Sequence, residues 1–223
     1  MSTAAFVHCQ GCAGAPPPAA VARAGRRHVV KAAAAAAALG GLAPAGALPA
    51  RWLLADAELW RRPRLLWVTR PQAQEAVRVV YWADGALQPE GYAALNHLFR
   101  DIAANALHPI APGLLDLNFA MQIAVRRLCG ARPLVLLSGY RTAATNARVG
   151  GAEPSVHGLG IADDFHYEGL SLRDNFRLAR HYQVGGLGLY PDRGCLHKDI
   201  GRFRSWVTPG RSSGSGHEHA AFR

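Results

Sequence analysis

The chain has 223 residues, 50% of them hydrophobic and 18% charged, with a formal net charge of +10. This length and apolar content suffice for one well-filled domain with a sizeable core. The basic balance favours an anionic partner, but neither a basic helix nor interleaved aromatic and basic residues accompany it, which argues against nucleic acid.

The acidic residues all lie after position 50, while Arg23, Arg26, Arg27 and Lys31 precede it; beyond residue 50, 21 basic and 15 acidic groups leave +6. The stretch "GRRHVVKAAAAAAALGGLAPAGALPA" has a basic start, a moderately apolar run and small residues at its end, the layout of an export signal. Its run is too short and too weakly apolar for a stable membrane span, which needs roughly 20 apolar residues. Arg26 and Arg27 resemble the twin-arginine signal, read by the twin-arginine export machinery, whose substrates cross the membrane folded. Residues 1–50 are therefore predicted to be an export signal behind an Ala/Pro-rich leader, with cleavage after Ala47 or Ala50 and a periplasmic or otherwise exported product. An Ala-rich linker or an uncleaved anchor is the rival reading. Cys9 and Cys12 have metal-like spacing, but nothing downstream completes a four-ligand set. Cys129 and Cys195 remain in the exported part, either paired or as two separate thiols.

Downstream, Leu65 to Thr69 and Ala76 to Trp82 are apolar runs around a Pro-containing turn, predicting a β-hairpin that ends at Asp84-Gly85. Pro89 opens a helix of about four turns, with Tyr92, Leu95, Leu98, Phe99 and Ile102 on its apolar face. A second helix is predicted over Pro112 to Cys129, with Leu114, Leu115, Leu117, Phe119, Ile123, Val125 and Leu128 facing inward. Leu134 to Leu137, bounded by Ser138-Gly139, is a buried central strand. Ile161 to Phe165 is a further strand, Leu172 to Tyr182 a third helix, and Gly185 to Tyr190 and Cys195 to Gly201 are strands joined by a Pro191-to-Gly194 turn. Residues 51–207 thus form one α+β domain with a small, mainly antiparallel sheet packed with helices, and 208–223 a disordered tail.

Within "SVHGLGIADD", His157 and Asp164 are seven apart. On one helix they would lie ~10.5 Å apart along the axis, too far to share an ion held by ~2 Å bonds. Gly158 and Gly160 make a helix unfavourable, and a fold-back into the following strand would send Asp164 to one side and Asp163 to the other. His197 and Asp199, two apart on a strand, share a face. Two histidines and a carboxylate leave an open zinc position for water, but spacing alone does not select this over a decorated turn or a surface ion pair, both common by chance.

The ordered set "SGYR", Asn146, "SVHGLGIADDF", "GGLGLY", "LHKDIG" and Trp206 resembles the YcbK-like branch of the zinc peptidases related to D-Ala-D-Ala carboxypeptidases. The resemblance covers about Leu65 to Trp206 and implies a Hedgehog/D-Ala-D-Ala peptidase-like fold and zinc-dependent hydrolysis of peptide bonds in peptidoglycan. It implies that His157, Asp164 and His197 hold Zn2+, that Asp199 acts as general base or orients a ligand, and that Arg141 holds a substrate carboxylate or the developing oxyanion. Ser155 would brace the loop presenting His157, and Tyr140 would stand at the substrate rim. Lys198 departs from the pattern, as does Cys195, a core thiol or extra metal contact. The adjacent Asp163 is an alternative carboxylate. His166 reads as a structural neighbour, His181 as a cap at the end of its helix, Trp206 as a core or rim aromatic, and His217 and His219 as part of the tail. A wall-binding module without turnover is the alternative function.

Overall fold

The computed structural model describes residues 57–209. The predicted export signal, Cys9, Cys12, and the tail histidines lie outside the described residues.

Ala57–Arg61 forms a short helix, α1, which leads into the hairpin of β1 (Arg64–Arg70) and β2 (Glu75–Ala83), paired antiparallel from Arg70↔Glu75 to Arg64↔Trp82. Alternate β1 side chains are fully buried, as a strand with one face on a core requires. Asp84 and Gly85, both at positive φ, turn the chain into the two-residue β3 (Ala86–Leu87). The helix α2 then spans Pro89–Leu98, with proline in its first turn. A Cβ on Gly91 would meet the Val80 carbonyl oxygen at 2.0 Å, so the glycine lets α2 lie directly on β2.

The helix α2 ends four residues before the predicted Ile102. The Phe99 carbonyl instead accepts a hydrogen bond from the Tyr140 amide, and Asp101 turns back to bridge Ala106 and bind Thr142. The helix α3 (Pro112–Cys129) has the predicted bounds. Leu114, Leu115, Leu117, Phe119 and Val125 are buried, whereas Leu128 is 56% exposed. The buried Asp116 on α3 is held by Arg64 at 2.7 Å and Tyr81 Oη at 2.9 Å, so this interior charge is paired and hydrogen-bonded. Gln122 bonds both the amide and the carbonyl of Trp67, standing in for a neighbouring strand beside β1.

From β4 (Leu134–Ser138) the chain forms α4 (Ala143–Arg148), β5 (Ala162–Tyr167), α5 (Leu172–His181), β6 (Gly186–Tyr190), β7 (Cys195–Asp199) and β8 (Arg204–Val207). The sheet order is β3-β2-β1-β4-β5-β7-β6-β8. Pairing is antiparallel except between β1 and β4 and between β6 and β8, so the expected α+β architecture carries an open mixed sheet. Eight strands make it larger than the small sheet expected, because β3 and β8 are too short to show a period. The core lies between this sheet and the helices: Leu66, Leu95, Leu114, Leu136, Phe165, Leu178 and Leu196 are buried together, each apolar side chain contributing about 1.5–3 kcal/mol.

The alternation of β5 divides its two aspartates. Asp163, Phe165 and Tyr167 turn toward α3, where Asn118 donates to Asp163 at 2.8 Å and Tyr167 Oη donates to the Asn118 carbonyl at 3.4 Å. Asp164 is left on the opposite face.

Candidate metal centre

Three elements deliver the polar cluster. Asp164 lies on β5 opposite His197 on β7 in antiparallel register. His157 comes from a 3-10 turn, Val156–Leu159, closed by Gly160 in the left-handed conformation at φ 64°. The glycines thus produce the predicted reversal: one tight turn replaces the helix that would have separated His157 from Asp164. A Cβ on Gly160 would also meet the Pro109 carbonyl oxygen at 2.6 Å.

His157 Nε2 is 3.1 Å from His197 Nδ1, His197 Nδ1 is 3.1 Å from Asp164 Oδ1, and His157 Nε2 is 3.4 Å from Asp164 Oδ1. All three side chains are buried. The outer partners decide what these atoms carry. His157 Nδ1 is 2.7 Å from the Gly139 carbonyl oxygen, which only accepts, so Nδ1 is the protonated nitrogen and a neutral ring offers a lone pair at Nε2. His197 Nε2 is 3.3 Å from Asp199 Oδ2, which places the proton there and the lone pair at Nδ1. Two nitrogen lone pairs and a carboxylate oxygen therefore converge, an arrangement that repels unless a positive centre lies among them. The edges of a tetrahedron with ~2.0–2.1 Å bonds are about 3.3 Å, close to the three separations observed. The donor set fits a metal ion.

The Asp164 carboxyl feels the same surroundings. Burial alone would raise it, but His157 and His197, when a ring proton rather than a metal ion stands between them and the carboxylate, and the Arg141 guanidinium outweigh burial and hold the group well below the usual carboxylate range. Arg141 Nη2 lies 3.6 Å from Asp164 Oδ2, and the Arg141 amide donates to the His157 carbonyl. Asp199 is buried on the same face of β7 as His197. Burial opposes its ionisation too, but His197, the Gly186 amide and Arg204 hold its carboxyl well below the ordinary value.

The remaining predicted residues are placed as follows. Tyr140 is half-buried and stacks on His108, with ring centroids 4.7 Å apart and planes 11° apart. Ser155 precedes the His157 turn, and its backbone carbonyl accepts from the Gly158 amide at 3.1 Å. Lys198 points away from the cluster, forming a buried ion pair with Asp163 and lying over the Phe165 ring. Cys195 is buried and belongs to neither a disulfide nor the three-ligand cluster; Cys129 also lacks a disulfide. His166 is half-buried, its pKa lowered by burial, and it too is outside the cluster. Arg204 was not legible as a site residue; its only signal is the two-residue spacing from Trp206, which puts both on one strand face.

A family model described as peptidoglycan L,D-endopeptidase MepK, of the M15 peptidases, matches residues 59–206. The chain belongs to this family. It is 36% identical over 178 residues to the peptidoglycan L,D-endopeptidase MepK of Escherichia coli K12, covering 76% of this chain and 93% of that protein. The protein of the same name in Shigella flexneri matches equally, and the probable one of Haemophilus influenzae is 28% identical over 176 residues, 76% of this chain and 92% of its own length. The chain is thus a peptidoglycan-hydrolysing peptidase, and its α+β architecture accords with the D-Ala-D-Ala peptidase fold implied by the motifs. Among the described residues, no helix is long and apolar enough to cross a membrane.

Proposed function

We propose that this peptidase is an exported zinc endopeptidase that cleaves L,D peptide bonds in peptidoglycan cross-links. The single observation supporting the metal is the convergence of His157 Nε2, His197 Nδ1 and Asp164 Oδ1, with both rings held in the ligating tautomer by outer hydrogen bonds. Zinc suits two imidazoles and one carboxylate, and when bound it supplies an open position where water becomes more acidic and a carbonyl is polarised. The bond class follows the names of the relatives.

The protein's own groups have separable tasks. His157, Asp164 and His197 bind the ion. Asp199 orients His197 rather than moving a proton: Oδ1 accepts from the Gly186 and Gly201 amides at 2.8 Å each, and Oδ2 from Arg204 at 2.8 Å and from His197. A carboxylate so engaged is a poor base. Arg141, buried beside Asp164, places fixed positive charge where a substrate carboxylate or a developing oxyanion would arrive. Tyr140, next to it and stacked on His108, offers an aromatic rim for the peptide, and Ser155 supports the turn that carries His157.

Export rests on the Arg26-Arg27 signal, with a periplasmic site of action. Digestion of purified sacculi by the metal-loaded protein, with and without chelator and beside His157→Ala, tests the enzymatic reading. Released muropeptides that vanish with chelator or with the variant support it. A zinc-loaded wild type that changes no muropeptide overturns it in favour of wall binding. For export, Arg26→Lys with Arg27→Lys is expected to retain the precursor in the cytoplasm; normal export of that variant removes the twin-arginine reading.

A further inference from the structure

On the site face of the sheet, the edge strand β8 is separated from β7 by β6. The register sets Gly186 beside Arg204, and Gly188 between His197 on one side and Trp206 on the other. An added Cβ at Gly186 would meet Arg204 Cζ at 2.6 Å, and one at Gly188 would meet the Trp206 indole at 2.6 Å. The bare strip on β6 is therefore covered by the two β8 side chains, which cross it to reach β7. Arg204 Nη2 binds Asp199 Oδ2 at 2.8 Å, and Asp199 in turn holds His197. Trp206 lies directly against the His197 ring, centroids 5.7 Å apart, and is fixed by its Nε1–H donating to Tyr190 Oη at 3.0 Å. The two β8 side chains thus reach the same imidazole, one through a carboxylate at its edge and one by lying against the ring.

We propose that Arg204 and Trp206 are positioning residues for His197, and that Gly186 and Gly188 are glycines because these two side chains must pass over them. The inference rests on the zinc reading above. The Nδ1 of His157 is oriented by the Gly139 backbone carbonyl, whereas the Nε2 of His197 is oriented by the Asp199 side chain, itself held by Arg204. The Nδ1 of His197 can be held toward His157 and Asp164 only if Asp199 is anchored and the ring plane is blocked from swinging.

The test measures metal binding by the wild-type chain and variants, with Zn2+ affinity from chelator competition and the visible absorption of the Co2+-loaded protein as a report on ligand geometry. Arg204→Leu and Trp206→Ala are each expected to weaken Zn2+ binding about 10- to 100-fold and to shift the Co2+ bands. Arg204→Lys and Trp206→Phe should recover part of both. Gly188→Ala removes no polar group but displaces the indole, and should move the Co2+ spectrum in the same sense as Trp206→Ala; it carries the test if the larger truncation fails to fold. Folded variants with wild-type Zn2+ affinity and an unshifted Co2+ spectrum overturn the inference while leaving the zinc reading intact. A wild-type chain that takes up neither metal removes both.

Discussion

Asn118 on α3 donates a 2.8 Å hydrogen bond to Asp163 on β5, and this contact belongs to the set that gives two adjacent aspartates opposite tasks. Asp163, bound also by Lys198, is one half of a buried ion pair on the core face. Asp164, one residue on, faces the two histidines. The period of two along a strand makes the division obligatory, since one register serves both residues.

Opposite effects on metal binding are therefore expected from the two asparagine variants. Asp163→Asn leaves Lys198 charged in the interior and should cost about 3–5 kcal/mol in urea unfolding, while the folded fraction still binds metal. Asp164→Asn should abolish metal uptake by the folded chain, and it should also lower the stability of the apoprotein, because it removes the buried anion beside Arg141. Loss of metal from folded Asp163→Asn, with retention by Asp164→Asn, would reverse the assignment.

Gly139→Ala tests the support behind His157. A Cβ there would meet the Phe99 carbonyl oxygen at 2.4 Å, so the strand-end loop must shift and carry away the carbonyl that accepts from His157 Nδ1. A destabilisation of about 1–3 kcal/mol is expected from the overlap, with Zn2+ affinity reduced about 10- to 100-fold. Wild-type affinity in the folded variant would mean that the Gly139 carbonyl does not set the His157 tautomer.

Elements with a local period were legible: the β1–β2 hairpin, α3 to its terminal residues, β4, and the β6–β7 pair around Pro191 to Gly194. Those defined by distant partners were not. The six residues of α4 carry no apolar face, and only Thr142, whose hydroxyl accepts from the Thr145 amide, marked the start. The four residues of β8 acquire their meaning from parallel pairing with β6. The helix α2 stops early because Phe99 and Asp101 are recruited by residues 139–142, a contact about 40 positions away. In the site, the ordered motif pointed to the three residues that converge, His157, Asp164 and His197, whereas Arg204 reaches Asp199 only across a glycine on an intervening strand.

Asp101 gives a pH dependence whose direction follows from its partners. Burial would raise its carboxyl, but the Thr142 amide and hydroxyl at 2.9 Å each, and the Ala104 amide at 3.2 Å, hold it below the ordinary 3.8. With the folded-state pKa depressed, its stabilisation is fully present above the unfolded value and is lost as pH falls through the folded one. Asp101→Asn should cost about 1–3 kcal/mol at neutral pH, and this difference from wild type should shrink below about pH 4 in urea titrations. A difference that is flat or grows toward acid would show that the anionic form does not tie the α2 end to Thr142.

Metal binding should be visible in stability as well as turnover, because the three ligands come from the His157 turn, β5 and β7, which are assembled only in the folded chain. An ion that binds the native state at 100 times its Kd adds about 2.7 kcal/mol, which for a domain of this size is about 5–10 °C in Tm. Wild type treated with chelator and returned to Zn2+ should recover that increment. Asp164→Asn should show none, since it lacks the anionic donor that the two imidazoles face. An equal rise in both proteins would place the stabilising ion elsewhere, and no rise in either would deny the cluster a structural metal.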